Sequence, residues 1–89
     1  MSSKYPLTGY GLMAKRHWTE FRPHMVKDLE AKGTLPEALY EAQEATSTEM
    51  MELRSKLQKE QGLTPQQAHD QAWEMIREKY ILLRAEESR

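Results

Sequence analysis

Apolar residues along this chain recur mostly at intervals of three and four, the period of an amphipathic helix, and they are punctuated by proline and glycine. Residues 1–10 carry Pro6, Thr8 and Gly9 and read, with Gly11 just after them, as an irregular lead-in. Leu12, Trp18 and Phe21, with Met13 and His17 beside them, line one side of a short first helix. Pro23 ends it, because proline disfavours the helical region for the residue before it, and then suits the first turn of the next helix. Met25, Val26 and Leu29 point inward from that helix, and Gly33 is placed to stop it in the left-handed conformation.

Thr34 and Glu37 have the spacing of a capping box and restart the helix. Its stripe begins with Leu35, Leu39 and Ala42 and resumes at Met50, Leu53 and Leu57. Between them lies Ala45-Thr46-Ser47-Thr48, the weakest helix formers of the segment. The favoured reading is one long helix with a soft middle; the alternative is two helices, the second capped at Thr48. Gly62 ends this stretch, and Thr64-Pro65-Gln66-Gln67 is the clearest helix start in the chain. Ala72, Trp73, Ile76, Tyr80 and Leu83 form the stripe of the last helix. The prediction is an all-α fold, a small bundle of about four helices near 11–21, 23–32, 35–61 and 65–84. Residues 11–84 make a single domain and 85–89 fray. Trp18, Phe21, Leu29, Leu35, Leu39, Leu53, Trp73, Ile76 and Tyr80 are the expected core.

Composition narrows the functional range. At 89 residues, 38% apolar and 30% charged, the chain is polar for a compact monomer, so a protein partner or a second copy is expected to complete its core. It has no cysteine, which excludes disulfides, thiolate catalysis and Cys-based zinc sites and suits a cytoplasmic location. No apolar run approaches the length of a membrane helix, and residues 1–10 lack the apolar stretch of a secretory signal. The net charge of −1 is unevenly spread: residues 1–32 carry six Lys/Arg against three acids, and residues 33–60 the reverse.

Candidate chemistry is sparse. His17, Glu20, His24 and Asp28 have metal-ligand spacings of three and four, but Arg22-Pro23 interrupts the face they would share, and no metal site is expected. Gly9-Tyr10-Gly11 lacks the third glycine and the strand–helix setting of a nucleotide loop, so no cofactor is expected either. No nucleophile has a base and an orienting partner, which argues against an enzyme and against a small-molecule substrate. The glutamates read as solvated faces with pairs such as Glu52–Lys56. Bases and aromatics mix in one place only, around Lys15-Arg16-His17-Trp18. Lys15, Arg16, Arg22 and Lys27 are therefore the candidate contacts to a nucleic acid or a protein partner.

One sequence pattern points to a family. Pro6, Tyr10-Gly11, Met13, Lys15-Arg16, Glu20, Arg22-Pro23, Met25, Leu29, Gly33, Leu35, Leu39 and Glu41 follow one ungapped register. In this the first half resembles the small transposon-encoded TnpV family of bacterial mobile elements; the likeness fades beyond residue 45. The resemblance implies a genetic context, an accessory gene of an integrative element, and little mechanism. The expected function is that of a helical accessory protein that binds another protein, a recombinase or a second copy of itself, through apolar helix faces. The alternative is a weak DNA-binding accessory factor that uses the basic first third.

Overall fold

The computed structural model describes residues 5–86, which form four helices and no strand. They are α1 (Gly9–Phe21), α2 (Pro23–Ala31), α3 (Leu35–Gln61) and α4 (Pro65–Tyr80). The expectations for residues 1–4 and 87–89 lie outside the described residues. α1 starts at Gly9, two residues earlier than the lead-in reading allowed, and α4 stops at Tyr80 rather than at 84. Residues 81–84 are not helical but lie back against α1 and α2, with Ile81 0% exposed, and of the tail expected to fray, Glu86 is held by its amide bond to Phe21 O.

α3 is the spine, 27 residues and about 40 Å long at 1.5 Å per residue. It runs through its soft middle without a break. The reason lies in Gln43 and Thr46, both buried, which occupy the stripe positions that seemed empty. Positions 39, 43, 46, 50, 53 and 57 alternate in steps of four and three, a continuous heptad-like seam in which two members are polar. Packing of that seam outweighs the poor intrinsic propensity of the Thr/Ser run. The hydroxyl of Thr46 is buried with no hydrogen-bond partner among the described residues.

Two apolar clusters divide the length of α3. Ala14, Trp18, Val26, Leu39, Ala42 and Ile81 form one where α1, α2 and the final segment meet the N-terminal half of the spine. Met50, Leu57, Ala68, Ala72 and Ile76 form the other, between α3 and the antiparallel α4. Tyr10, Trp73 and Tyr80 pack against both, and the rings of Tyr10 and Trp73 stack 5.6 Å apart.

Small residues set the helix spacing. Gly11 and Ala14 are buried on α1, and Ala68 and Ala72 on α4. A methyl at Gly11 would collide with the side-chain oxygen of Gln43 and with Leu7. That oxygen accepts from the Thr8 amide, while the Gln43 amide group donates to the Pro6 carbonyl. Gly11 is thus a close-packing residue inside a helix, and the Gln43 carboxamide anchors the segment that leads into it.

The helix ends follow local chemistry, with one correction. Gly33 and Gly62 take left-handed φ values of 72° and 64°. The Gly33 amide donates to Glu30 O and the Thr34 amide to Leu29 O, the paired bonds of a Schellman ending. That ending holds Thr34 at ψ 6°, away from the extended backbone a cap requires, and its hydroxyl leans toward Leu29 O at 3.5 Å, so the Thr34–Glu37 box does not form. The Thr64–Gln67 box forms in both directions, at 3.2 and 3.1 Å.

The core departs from expectation on α1. Phe21 is 39% exposed and lies against His17, with ring centroids 4.5 Å apart. Leu12 is 56% exposed, and Met13 is exposed too. Gly11, Ala14 and Trp18 define the inward face, which turns these three residues outward. Leu29, Leu35, Leu53, Trp73 and Tyr80 are half-buried, whereas Trp18, Leu39 and Ile76 are buried as expected.

Two substitutions test this packing. Thr46→Val keeps the shape and removes an unsatisfied hydroxyl, so thermal melting should show a gain of about 1 kcal/mol; a loss would mean that the hydroxyl is satisfied. Gly9 has open space around its missing Cβ, unlike Gly11. Gly11→Ala should lower the melting temperature although alanine is the better helix former by about 1 kcal/mol, whereas Gly9→Ala should leave it unchanged or raise it.

Candidate functional site

Of the four basic candidates, Lys15 and Arg16 line one surface feature together. Lys15 and Arg16 lie on the outward face of α1, both exposed, beside Leu12, Thr19 and Glu20. Neither takes part in an ion pair among the described residues. Arg22 sits at the corner between α1 and α2, half-buried, and its Nη1 donates to Arg84 O at 3.1 Å. Its Nε is buried without a partner among the described residues. Lys27 is exposed on α2, next to the buried Val26. Lys15 and Arg16 therefore make a two-residue basic surface, Arg22 serves the fold, and Lys27 belongs to a separate helix.

A second feature escaped the sequence reading. A groove of about 350 Å³ runs between α3 and α4, lined by Glu49, Glu52, Leu53, Lys56, Met75, Ile76 and Lys79. Met75 is 61% exposed there. A neighbouring groove of about 380 Å³ continues beside Ala38, Ala42 and Ala45, with Trp18, Tyr80 and Leu83 on its other side. Lys79 lines both, so the two grooves adjoin there and make a trough of two parts, which together follow α3 from Ala38 to Lys56, roughly 27 Å of helix.

Glu49 fixes the middle of the trough. Its carboxylate accepts from Lys79 Nζ at 2.9 Å and, at the other oxygen, from the Tyr80 hydroxyl. The Lys79 bond, then the Tyr80 bond, hold the Glu49 carboxyl below its usual range. The same carboxylate raises the pKa of Lys79 and of Tyr80. Each group is pushed further into its resting form, the opposite of an activated acid or base. Elsewhere on the spine the Glu52–Lys56 pair does not form, and Lys56 lies 4.0 Å from Glu60 instead.

The third feature is the notch between α1 and α2, filled by residues 81–86. Trp18 Nε1 donates to Ile81 O at 3.1 Å, and His17 Nε2 lies 2.8 Å from Leu83 O. The Glu86 amide donates to Phe21 O. The Glu86 carboxylate accepts from the His24 and Met25 amides, at 3.1 and 2.9 Å. α2 has no side-chain cap of its own, so Glu86 caps it from across the sequence. His17 and His24, read earlier as half of a metal-ligand pattern, both contribute to this seat through other bonds.

These features define a small all-α protein with an exposed basic helix face, an apolar trough and a docked C-terminal segment. No family model, curated protein or solved structure matches the chain. No helix among the described residues is long and apolar enough to cross a membrane.

Partial desolvation pushes the Glu86 carboxyl upward. The two α2 amides, helped by the charges of His24 and Arg22, outweigh it, and the group titrates below its ordinary value of 4.5. A carboxyl whose folded pKa is depressed stabilises the fold above the unfolded pKa, and that contribution disappears as pH falls through the folded value. The His24 and Met25 amides should be protected from hydrogen exchange near pH 6 and lose that protection below the ordinary carboxyl range, faster than their neighbours. In Glu86→Gln this pH dependence should vanish. Unchanged protection through acid in the natural chain would show that the cap is not Glu86.

Proposed function

We propose that this chain is a protein-interaction module, an accessory protein of a mobile genetic element, which takes an amphipathic helix of a partner along the α3–α4 trough. The exposure of Met75 beside Leu53 carries this reading. A large apolar side chain left in water at the edge of a groove gains by being covered, and methionine adapts to the surface that covers it. The length of the trough suits a helix of about five turns with apolar residues at helical spacing and charges that meet Glu52 and Lys56 at its rim. The mobile-element context rests on the resemblance of residues 6–41 to the TnpV family and on nothing else.

A DNA-binding reading comes second, and one observation favours it. Lys15 and Arg16 belong to the TnpV-like pattern, and their side chains make no hydrogen bond or ion pair among the described residues, whereas Tyr10, Gly11, Gly33 and Leu39 of that pattern are used in packing or turns. Two such cations supply few phosphate contacts, so this binding would be weak and strongly salt-dependent.

Two experiments separate the readings. A photo-reactive methionine analogue at position 75 of the full chain should give a discrete protein crosslink in cells, lost when Leu53→Asp is introduced, while the same group at the exposed position 51 should not. Smears alike from both positions would remove the trough from consideration. In low salt, duplex DNA should be bound weakly if at all. If the natural chain binds it and Lys15→Ala/Arg16→Ala does not, the basic face is the site and the second reading takes over.

A further inference from the structure

Two lines of residues on this protein match one another. On the outward side of α1, positions 9, 13, 16 and 20 follow steps of four, three and four, the spacing of one helix face, and all four residues are exposed: Gly9, Met13, Arg16 and Glu20. On the wall that α3 gives to the trough, positions 45, 49, 52 and 56 follow the same steps: Ala45, Glu49, Glu52 and Lys56. Laid side by side in parallel, the two lines set Gly9 on Ala45, Met13 on Glu49, Arg16 on Glu52 and Glu20 on Lys56. Small residues meet at one end, where helices can approach closely, and opposite charges meet twice at the other. Met13 falls at Glu49, whose oxygens are already taken by Lys79 and Tyr80.

The charges in these lines are open to a second molecule. Arg16 and Glu20 stand one turn apart on α1 without pairing, and so do Glu52 and Lys56 on α3, among the described residues. Lys56 reaches only Glu60, at 4.0 Å, and both of those side chains are mostly exposed. The two couples also run in opposite order: cation then anion on α1, anion then cation on α3. A parallel alignment therefore satisfies both, whereas an antiparallel one over the same positions sets like charges against each other. Within one chain the contact cannot form, because α1 presents Gly11, Ala14 and Trp18 to its own core and its outward line to solvent.

We infer that the helix taken by the trough is α1 of a second copy of this chain. This rests on the reading of the trough as a helix-binding site and names its occupant. With its 13 residues, α1 covers the trough from Ala45 to Lys56. It removes Met13 and Met75, 41% and 61% exposed, from water in one contact. The interface is heterologous, since each copy offers a helix and a trough. It either closes reciprocally in a pair or continues into larger assemblies. Two of its four matched positions are charge pairs at a solvated rim, so the association weakens as salt is added.

Sedimentation equilibrium of the purified full chain, free of nucleic acid and at low ionic strength, should show a mass that rises with concentration and falls back in salt. Arg16→Glu and Glu52→Arg should each weaken this association about tenfold. The chain that carries both changes should regain it, because the reversed charges meet again. Both positions are exposed, so circular dichroism should show the same helix content in all four proteins. A photo-reactive methionine analogue at position 75 of the purified chain should crosslink to residues 9–21 of a second copy. A chain that stays monomeric at millimolar concentration, or a double variant that associates no better than the single ones, would overturn the inference. The two readings fail separately. A monomeric purified chain with a crosslink from position 75 to a different protein in cells removes the second copy and leaves the trough. No crosslink from position 75 in either setting removes both.

Discussion

A helix as long as α3 has to be buttressed along its whole length, and in a chain of 89 residues the remaining segments barely suffice. An isolated helix gains little from its own hydrogen bonds and depends on burial of one face. Here α4 covers the C-terminal half, while α1, α2 and the final segment cover the other. The two coverings meet at Tyr10, Trp73 and Tyr80, whose rings belong to both apolar clusters. This aromatic junction makes one cooperative unit out of what would otherwise be two helical hairpins sharing a rod.

Closure of the N-terminal half depends on the last described residues. Ile81 is buried among α1, α2 and α3, and Glu86 supplies the cap that α2 lacks. The first core is therefore completed by residues that follow the last helix. These bonds join positions more than sixty residues apart and add a non-local step to an otherwise local helical topology. The segment is held largely through its backbone, with Glu86 as its one bonded side chain.

What the fold does not use is then informative. Arg22 is drawn into the corner, and Glu49, Lys79 and Tyr80 satisfy one another. Left facing water are, with others, Leu12, Met13, Lys15, Arg16 and Phe21 on α1, Met51 on α3 and Met75 on α4. These residues stabilise little in the isolated chain, and they divide into a basic face and an apolar edge.

The four helices were legible in the sequence because their ends are local events. Pro23, Gly33, Gly62 and the Thr64–Gln67 box act within a few residues, and the structure follows them closely. Of the candidate site, exposure was legible for Lys15, Arg16 and Lys27, whereas the corner that draws Arg22 to Arg84 O was not. Tertiary structure decided what local chemistry could not. Whether α1 turns Phe21 or Gly11 inward depends on the helix it meets, and a close approach to Gln43 selects the glycine. Gln43 and Thr46 look like a gap in an apolar stripe until packing shows them inside the seam. Glu86 reads as part of a loose end, because nothing near it in sequence reveals the uncapped helix it reaches. Local propensity is written residue by residue, but burial and capping across the chain exist only once distant segments share a surface.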